Sequence, residues 1–212
     1  MKLGQLSDKY ESGGDPGCVS SGSGDPGGVS YGKWQMIASN AKFFIFSSTP
    51  GAPYKDQFAG LTPGTVNFSN KWKEVAKKDP EGFTEAQRKF IELTHYLPTL
   101  NLIEKELGLL YIRVRDSFAL QNVVWSCAVQ FGSRRAVYLL EEALGGVNFN
   151  HSVTSNEDII RRIYAERGAM SGNKLKHFSH VGDKLIPGLR HRFESEMNDA
   201  IKLVRMETAP TN

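Results

Sequence analysis

The chain has 212 residues, enough for one domain with a sizeable core, and its 40% hydrophobic and 23% charged residues are typical of a globular protein. A net charge of +3 is compatible with an anionic polymer as partner but does not require one. The N-terminus has no apolar run, so we expect no signal peptide, and no window reaches the length of a membrane span. The sequence therefore predicts a protein made in the cytoplasm, without membrane insertion, in which Cys18 and Cys127 are free thiols.

The N-terminal part of the chain is predicted to hold two short helices and an irregular hairpin. In chain order we predict a helix over 2–11, a hairpin over 12–32, a helix over 37–47 and a long proline-containing connection over 48–66. Gly13 and Gly14 end the first helix. In the hairpin, Val19 and Val29 occupy matching apolar positions of the two arms.

The rest of the chain is predicted to be helical. Apolar periodicity places helices near 68–78, 85–97, 98–107, 117–131, 134–144, 156–167 and 187–206. Thr84 with Gln87 resembles a capping box, and Asp116 is predicted to cap the most apolar helix. The predicted fold is mainly α (α+β): one domain over 1–212, with the first helix and hairpin at 2–36, a helical body at 37–206 and a frayed tail at 207–212.

Two near-copies of one unit make up the hairpin: SGGDPGCVSSG at 12–22 and SGSGDPGGVSYG at 21–32. Glycines and Asp-Pro-Gly turns do not pack a core; they bend the backbone sharply and hold polar side chains at set places. We interpret this stretch as the active-site hairpin of a sugar-cleaving enzyme.

Glu11 is the first candidate catalytic residue, because it stands at the end of the first predicted helix. Alone, it could be a solvated glutamate. However, the negative end of a helix disfavours a carboxylate charge and therefore favours the protonated form that a general acid needs.

Asp25 is the candidate second carboxylate, although Asp15 has the same local sequence and one of the two is expected only to form a turn. We favour Asp25 as the base because Ser30 follows five residues later. A carboxylate and a hydroxyl on one water can prepare it for single-displacement attack on a glycosidic carbon.

At these residues the sequence resembles a known family. Glu11, a glycine-rich gap and then D-x-G-G-x-S-x-G-x-x-Q, beginning at Asp25, resemble the lysozyme superfamily. The spacing is most similar to family 46 chitosanases and to the muramidase domains of phage endolysins and type VI secretion spike effectors. The segments FTEAQRKFIELTHYLP, LQNVVWSCAVQFG and IIRRIYAERG extend the resemblance to those lysin and effector domains over nearly the whole chain. Pro26 and Gly27 depart from the chitosanase signature, which has an arginine near the aspartate.

The resemblance implies a two-lobed, lysozyme-like helical domain in which Glu11 is the acid, Asp25 the base and Ser30 a residue that positions water. It implies a muramidase that cleaves β-1,4 bonds of peptidoglycan, as a phage endolysin or an antibacterial effector that reaches the wall after release or delivery. A chitosanase on the same fold is the close alternative. A non-catalytic wall-binding or tail-structural module is the alternative from another class.

Four further residues are candidates for substrate binding. We expect Tyr31 or Tyr54 to stack on sugar rings, whereas Trp34 is expected to pack in the core. Gln35 and Gln130 are polar groups on otherwise apolar segments, and we expect them to point into the cleft, although a structural role for each is equally open.

No pattern in the sequence predicts a metal or a cofactor. The five histidines fit no metal-ligand spacing, and His177 and His180 are expected at the surface of a basic loop. Cys127 lies in an apolar helix and is expected to be core rather than a nucleophile. We therefore expect a monomer whose partner is the bacterial cell-wall polysaccharide, with no nucleic acid and no cofactor.

Overall fold

The computed structural model describes residues 2–20, 28–145, 154–179 and 181–209, with the side chains of residues 8 and 9 excepted. The chain divides into two compact units. We call Ser7–Thr94 the hairpin unit; the residues before Ser7 join those from His95 onward in what we call the helical unit. Asp25, His151 and His180 lie outside the described residues, so the predictions made for them remain predictions.

Helices dominate both units, which confirms the prediction of a mainly α fold. The helices are α1 (Gln5–Glu11), α2 (Ala38–Phe46), α3 (Val66–Lys78), α4 (Pro80–Ile91), α5 (Leu97–Glu106), α6 (Gly108–Arg115), α7 (Phe118–Phe131), α8 (Ser133–Leu144), α9 (Asn156–Arg167) and α10 (Ile186–Thr208). Two antiparallel pairs of short strands accompany them: β1 (Ser30–Tyr31) with β2 (Met36–Ile37), and β3 (Met170–Ser171) with β4 (Lys174–Leu175). Shorter 3₁₀ segments cover Ala52–Phe58 and Asp183–Leu185, and a π-helical turn covers Glu92–Tyr96.

The hairpin unit has an aromatic core centred on Trp72 of α3. The Trp72 ring lies 4.8 Å from that of Phe83, 5.2 Å from that of Tyr31 and 5.8 Å from that of Phe44, measured between ring centroids. Phe68, Trp72, Val75 and Ala76 form the buried face of α3, as their spacing predicts. Tilted and edge-on aromatic pairs of this kind add to the burial of apolar area. The 3₁₀ segment Ala52–Phe58, which the sequence did not predict, adds Tyr54 and Phe58 to this core.

Two helix starts differ from the prediction. Asp79, not Thr84, caps α4: its side chain accepts a hydrogen bond from the Gly82 N–H, and Pro80 takes the first helical position, where a missing N–H is harmless. Ser117, not Asp116, caps α7 by accepting from the Leu120 N–H. Asp116 instead pairs with the neighbouring Arg115.

In the helical unit, α7 is the most deeply buried helix, as its apolar sequence predicts. Ala119, Leu120, Val123, Val124, Trp125, Cys127 and Ala128 are all buried. Helix α10 extends beyond the predicted 206: Glu207 belongs to it and accepts hydrogen bonds from Ser117 Oγ (2.8 Å) and the Ala119 N–H (2.6 Å). Two of the six residues assigned to a frayed tail therefore belong to an ordered helix that caps α7. Among the described residues, no helix is both long and apolar enough to cross a membrane.

Candidate active-site hairpin

Glu11 is the last residue of α1, as the sequence predicts, and it is half-buried. Gly13 and Gly14 follow with φ of 65° and 86°, in the left-handed region that glycine adopts without strain. The Gly14 N–H bonds to Ser12 Oγ at 3.2 Å. The chain therefore leaves the helix immediately after the candidate acid and turns into the hairpin.

Asp15 forms a turn. Its Oδ1 accepts from the Gly17 N–H at 2.7 Å, and its carbonyl accepts from the Cys18 N–H at 3.2 Å, which is the arrangement of an Asx-turn. A Cβ added at Gly17 would stand 3.1 Å from Ala76 Cβ, so this first arm lies directly on α3. The turn role expected for one of the two aspartates is thus filled by Asp15.

The second arm returns antiparallel to the first. Val19 bridges to Tyr31, the Ser20 N–H bonds to the Ser30 carbonyl at 3.0 Å, and the Gly32 N–H bonds to the Cys18 carbonyl at 2.8 Å. The partner of Val19 in this bridge is therefore Tyr31. Ser30 is 5% exposed, and its N–H also bonds to Ser20 Oγ at 3.1 Å, so the position of Ser30 is fixed against the first arm.

Gln87 of α4 connects the two arms, which the sequence analysis missed. Its Nε2 donates to the Pro16 carbonyl and its Oε1 accepts from the Lys33 N–H, each at 3.0 Å. The Trp72 indole also donates to the Pro16 carbonyl, at 2.9 Å. Gln87 is fully buried and takes no part in a capping box. The sequence signal that could have indicated its burial is its spacing from Phe83, Ala86 and Phe90, which places it on the inward face of the helix.

The two tyrosines proposed for sugar stacking are core residues. Tyr31 is fully buried, and its hydroxyl accepts from the Gly64 N–H (2.8 Å) and lies 3.1 Å from Ser69 Oγ. Tyr54 is 9% exposed and donates to Asp79 Oδ2 at 2.8 Å; burial and this carboxylate raise the pKa of Tyr54 to about 12. Neither ring offers an open face to a sugar, so both assignments are corrected to packing. Trp34 is buried, as expected.

The two candidate glutamines make local contacts. Gln35 is half-buried at φ 47°, and its Nε2 donates to the Gly32 carbonyl at 3.0 Å, which stabilises the tight turn between β1 and β2. Gln130 belongs to the helical unit, where its Oε1 accepts from Arg167. The structural role left open for each residue is therefore the one that the contacts support.

A groove of about 650 Å³ lies along the first arm, within the hairpin unit. Asp15, Cys18, Lys73 and Lys77 contribute to its walls. Two lysines one helical turn apart make this side of the hairpin attractive to anionic groups.

Glu142, Glu166 and His177 of the helical unit bring three potential metal-ligand atoms within 4.8 Å of one another. However, Lys176 Nζ bonds to Glu142 Oε1 (3.0 Å) and Glu166 Oε1 (2.7 Å), and His177 Nε2 lies 2.8 Å from Glu166 Oε1. The ammonium already occupies the position a cation would take, so these residues are an ion-pair network. His177, expected at the surface, is 12% exposed for the same reason.

Cys127 is fully buried, and burial raises the pKa of its thiol to about 11. A thiol that resists ionisation is not an activated nucleophile, in agreement with the core position predicted for it.

Comparison with known proteins places this hairpin in a family. Residues 3–197 match the family described as Type VI secretion system spike protein VgrG3-like, C-terminal. Over 159 residues, which is 74% of this chain, the sequence is 38% identical to the type VI secretion system spike protein VgrG3 of Vibrio cholerae serotype O1. The matched region is 15% of the length of that protein. The chain therefore belongs to the family of VgrG3-like C-terminal domains of type VI secretion system spike proteins.

Proposed function

We propose that the chain is a peptidoglycan glycoside hydrolase of the muramidase type, acting as an antibacterial effector of a type VI secretion spike. One observation carries the proposal: Glu11 ends α1 and is followed at once by a glycine-rich hairpin, which is anchored on α3 and α4 at Pro16 and on α4 at Lys33. Hairpin arms that are anchored next to a helix-end carboxylate give the polar groups on those arms fixed places, as acid–base chemistry requires.

In the proposed reaction Glu11 donates a proton to the glycosidic oxygen as the bond from that oxygen to the anomeric carbon breaks. Asp25 takes a proton from a water, whose oxygen forms the new bond at the opposite face of the anomeric carbon. Ser30, whose N–H bonds to Ser20 Oγ, is the residue proposed to help position this water. Proton donated and proton accepted balance, so the enzyme returns to its starting state after the two carboxyl groups re-equilibrate with solvent.

The proposed setting follows from the family. The relative is a spike protein of a secretion system, and this chain matches a part of it. A hydrolase carried on a secretion spike would reach the wall polysaccharide of a target cell by delivery, so its proposed partners are the spike and that polysaccharide. The groove with Lys73 and Lys77 would favour the acidic groups of such a polymer over a cationic one. This preference supports peptidoglycan over chitosan.

A non-catalytic module of the spike is the second candidate, because the relative is named as a spike protein. The two candidates differ in whether bonds in the wall are broken.

The test is digestion of purified peptidoglycan and of chitosan, with new reducing ends counted and soluble products weighed by mass spectrometry. We expect disaccharide-peptide products from peptidoglycan and no release by the Glu11→Gln variant. Release from chitosan alone would replace the muramidase by a chitosanase. Co-sedimentation with walls and no new reducing ends from folded wild-type protein would favour the non-catalytic module.

A further inference from the structure

We propose that the groove beside the first hairpin arm is a subsite for the stem peptide of peptidoglycan, the short acidic peptide attached to its muramyl sugars. Lys73 and Lys77 of α3 bind the carboxylates of that peptide. This inference rests on the proposed function and names a part of the substrate, other than the sugar chain, that the hairpin unit recognises.

The groove has a floor of small, buried residues. Gly17 of the first arm and Ala76 of α3 are both buried, and a Cβ added at Gly17 would stand 3.1 Å from Ala76 Cβ and 3.8 Å from Lys73 Cα. The arm therefore lies close to the helix backbone at this point, and the longer side chains of the lining stand at the rim. The volume of about 650 Å³ is within the range of roughly 300–1,000 Å³ that is usual for ligand sites.

Two lysines at this rim have charges that the rest of the described chain does not neutralise. Lys73 and Lys77 are one helical turn apart, so they share the face of α3 that meets the first arm. Both are exposed, and among the residues that the structure describes no carboxylate lies within ion-pair distance of either. Lys71 of the same helix, by contrast, pairs with Glu74 at 2.6 Å. Lys73 and Lys77 can therefore donate charge-assisted hydrogen bonds to the carboxylates of a ligand.

Asp15 adds one negative charge to the same lining. Its Oδ1 accepts from the Gly17 N–H at 2.7 Å, so Oδ2 is the oxygen that can accept from a ligand. Two cations and one anion match a stem peptide that carries several carboxylates and the amino group of a diamino acid. A chain of neutral N-acetylated sugars has no charged groups for these three residues to bind. The charges of the groove therefore favour the peptide over the sugar chain as its occupant.

The groove also lies near the candidate acid. Both Glu11 and Asp15 belong to the hairpin unit, and the four residues of chain from Glu11 to Asp15 can span at most about 14 Å. The stem peptide is attached to the muramyl sugar whose bond the proposed reaction breaks. A peptide held in the groove would therefore keep that sugar beside Glu11.

The first measurement is the binding of a synthetic muramyl tetrapeptide, which is one sugar with its stem peptide. It contains no bond between sugars, so it reports binding whether or not the chain is a hydrolase. Titration followed by amide NMR shifts should give a Kd about tenfold higher for Lys73→Gln/Lys77→Gln than for wild type, because two exposed charge pairs are lost. Lys55→Gln/Lys78→Gln is the matched control: it removes the same charge from exposed lysines of the hairpin unit that do not line the groove, and its Kd should equal that of wild type.

The second measurement uses the Cys18 thiol to locate the bound peptide. Cys18 is a half-buried residue of the groove, whereas Cys127 is fully buried in the helical unit. Alkylation by iodoacetamide, followed by mass spectrometry, therefore monitors the groove. We expect saturating muramyl tetrapeptide to slow the alkylation of Cys18 in wild type. The same compound at the same concentration, with its carboxylates converted to amides, should leave the rate unchanged.

The outcomes separate this subsite from the proposed function. Equal Kd values for the groove variant and its control, an unprotected Cys18, or equal protection by the amidated compound would each overturn the subsite. If the muramyl tetrapeptide protects Cys18 but wild type breaks no bond in purified walls, the proposed function fails and the subsite stands. If wild type digests the walls while Cys18 stays unprotected, the function stands and the subsite is refuted.

Discussion

Gln87 in the hairpin unit and Arg167 in the helical unit are both fully buried, yet they contact different kinds of structure. Gln87 is neutral and bonds to the backbone of a loop, through Pro16 and Lys33. Arg167 is charged and contacts side chains: its NH1 lies 3.6 Å from Glu196 Oε2, and its NH2 donates to Ser126 and Gln130. The guanidinium also lies 4.7 Å from the centroids of the Tyr164 and Phe193 rings.

The difference follows from the backbone groups that each region leaves without a local hydrogen-bond partner. Loop backbone has N–H and C=O groups that, unlike those in the interior of a helix, are not paired locally. Burying them without partners is costly, so a neutral amide is a suitable partner. Helix backbone is already bonded, so the Arg167–Glu196 pair instead links α9 to α10 through side chains. Burial raises the pKa of Tyr164 well above its usual range, and the neighbouring Glu196 raises it further. We expect changes in the hairpin unit to affect activity first, and changes at Arg167 to affect stability first.

The largest effect on activity is expected from Glu11→Gln. The amide has nearly the same shape as the carboxyl group but cannot serve as a general acid, so activity should fall on the order of 10²–10⁴-fold or more while the fold is kept. Wall turnover and thermal unfolding measure the two quantities, with the exposed Glu104→Gln of α5 as the matched control. Retention of most activity would remove Glu11 from the mechanism.

Substitution by asparagine should have unequal effects at Asp15 and Asp25, the equivalent aspartates of the two sequence repeats. Asp25→Asn removes the proposed base and should lower kcat by about 10²-fold or more. Asp15→Asn keeps an oxygen that can accept from the Gly17 N–H, so its turn and most of its activity should survive. Equal losses in the two variants would contradict the division of roles between the copies.

Arg167→Leu tests whether the buried ion pair of the helical unit affects stability rather than activity. It leaves Glu196 as a buried carboxylate without its closest cation, which typically costs about 3–5 kcal/mol in the free energy of unfolding. Denaturant unfolding measures this loss, and activity per folded molecule should stay near wild type. Arg134→Leu, which breaks the exposed pair with Glu106, is the control and should change stability far less. If Arg167→Leu instead removed activity from fully folded protein, the assignment of this pair to stability would be wrong.

The smallest effect is expected at the start of α4. Asp79→Ala should cost about 0.5–2 kcal/mol, because Asp79 caps the helix and also accepts from Tyr54. Thr84→Ala should change the free energy of unfolding very little, since Thr84 lies inside the helix. If Thr84→Ala lowered the thermal unfolding temperature more than Asp79→Ala, the predicted capping box at Thr84 would be supported instead.

The sequence predicted those features that follow from local patterns. Apolar spacing located α2 and α3 with their buried faces, and the glycines after Glu11 placed that residue at the end of α1. Features that depend on distant residues were missed or misread. Gln87 fits a capping-box pattern in the sequence, but in the structure its side chain contacts Pro16 and Lys33, which are distant along the chain.

Tyr31 was misread for a related reason. A tyrosine in a glycine-rich motif can stack on a ligand or pack, and its neighbours Phe68 and Trp72 lie on a helix predicted separately. The Arg167–Glu196 pair joins two helices whose register the sequence does not specify, so periodicity alone gave no sign of it.

Proton NMR of the first product formed from a β-linked wall substrate tests whether a helix-end carboxylate and a hairpin carboxylate cleave the glycosidic bond by acid–base chemistry. If Asp25 activates water rather than attacking the sugar, the two carboxyl groups stand roughly 6.5–9.5 Å apart and the anomeric configuration inverts. We expect the α-anomer to appear first and the β-anomer to grow in only by mutarotation. An initial β-anomer would contradict single displacement and would make Asp25 a nucleophile or a charge stabiliser.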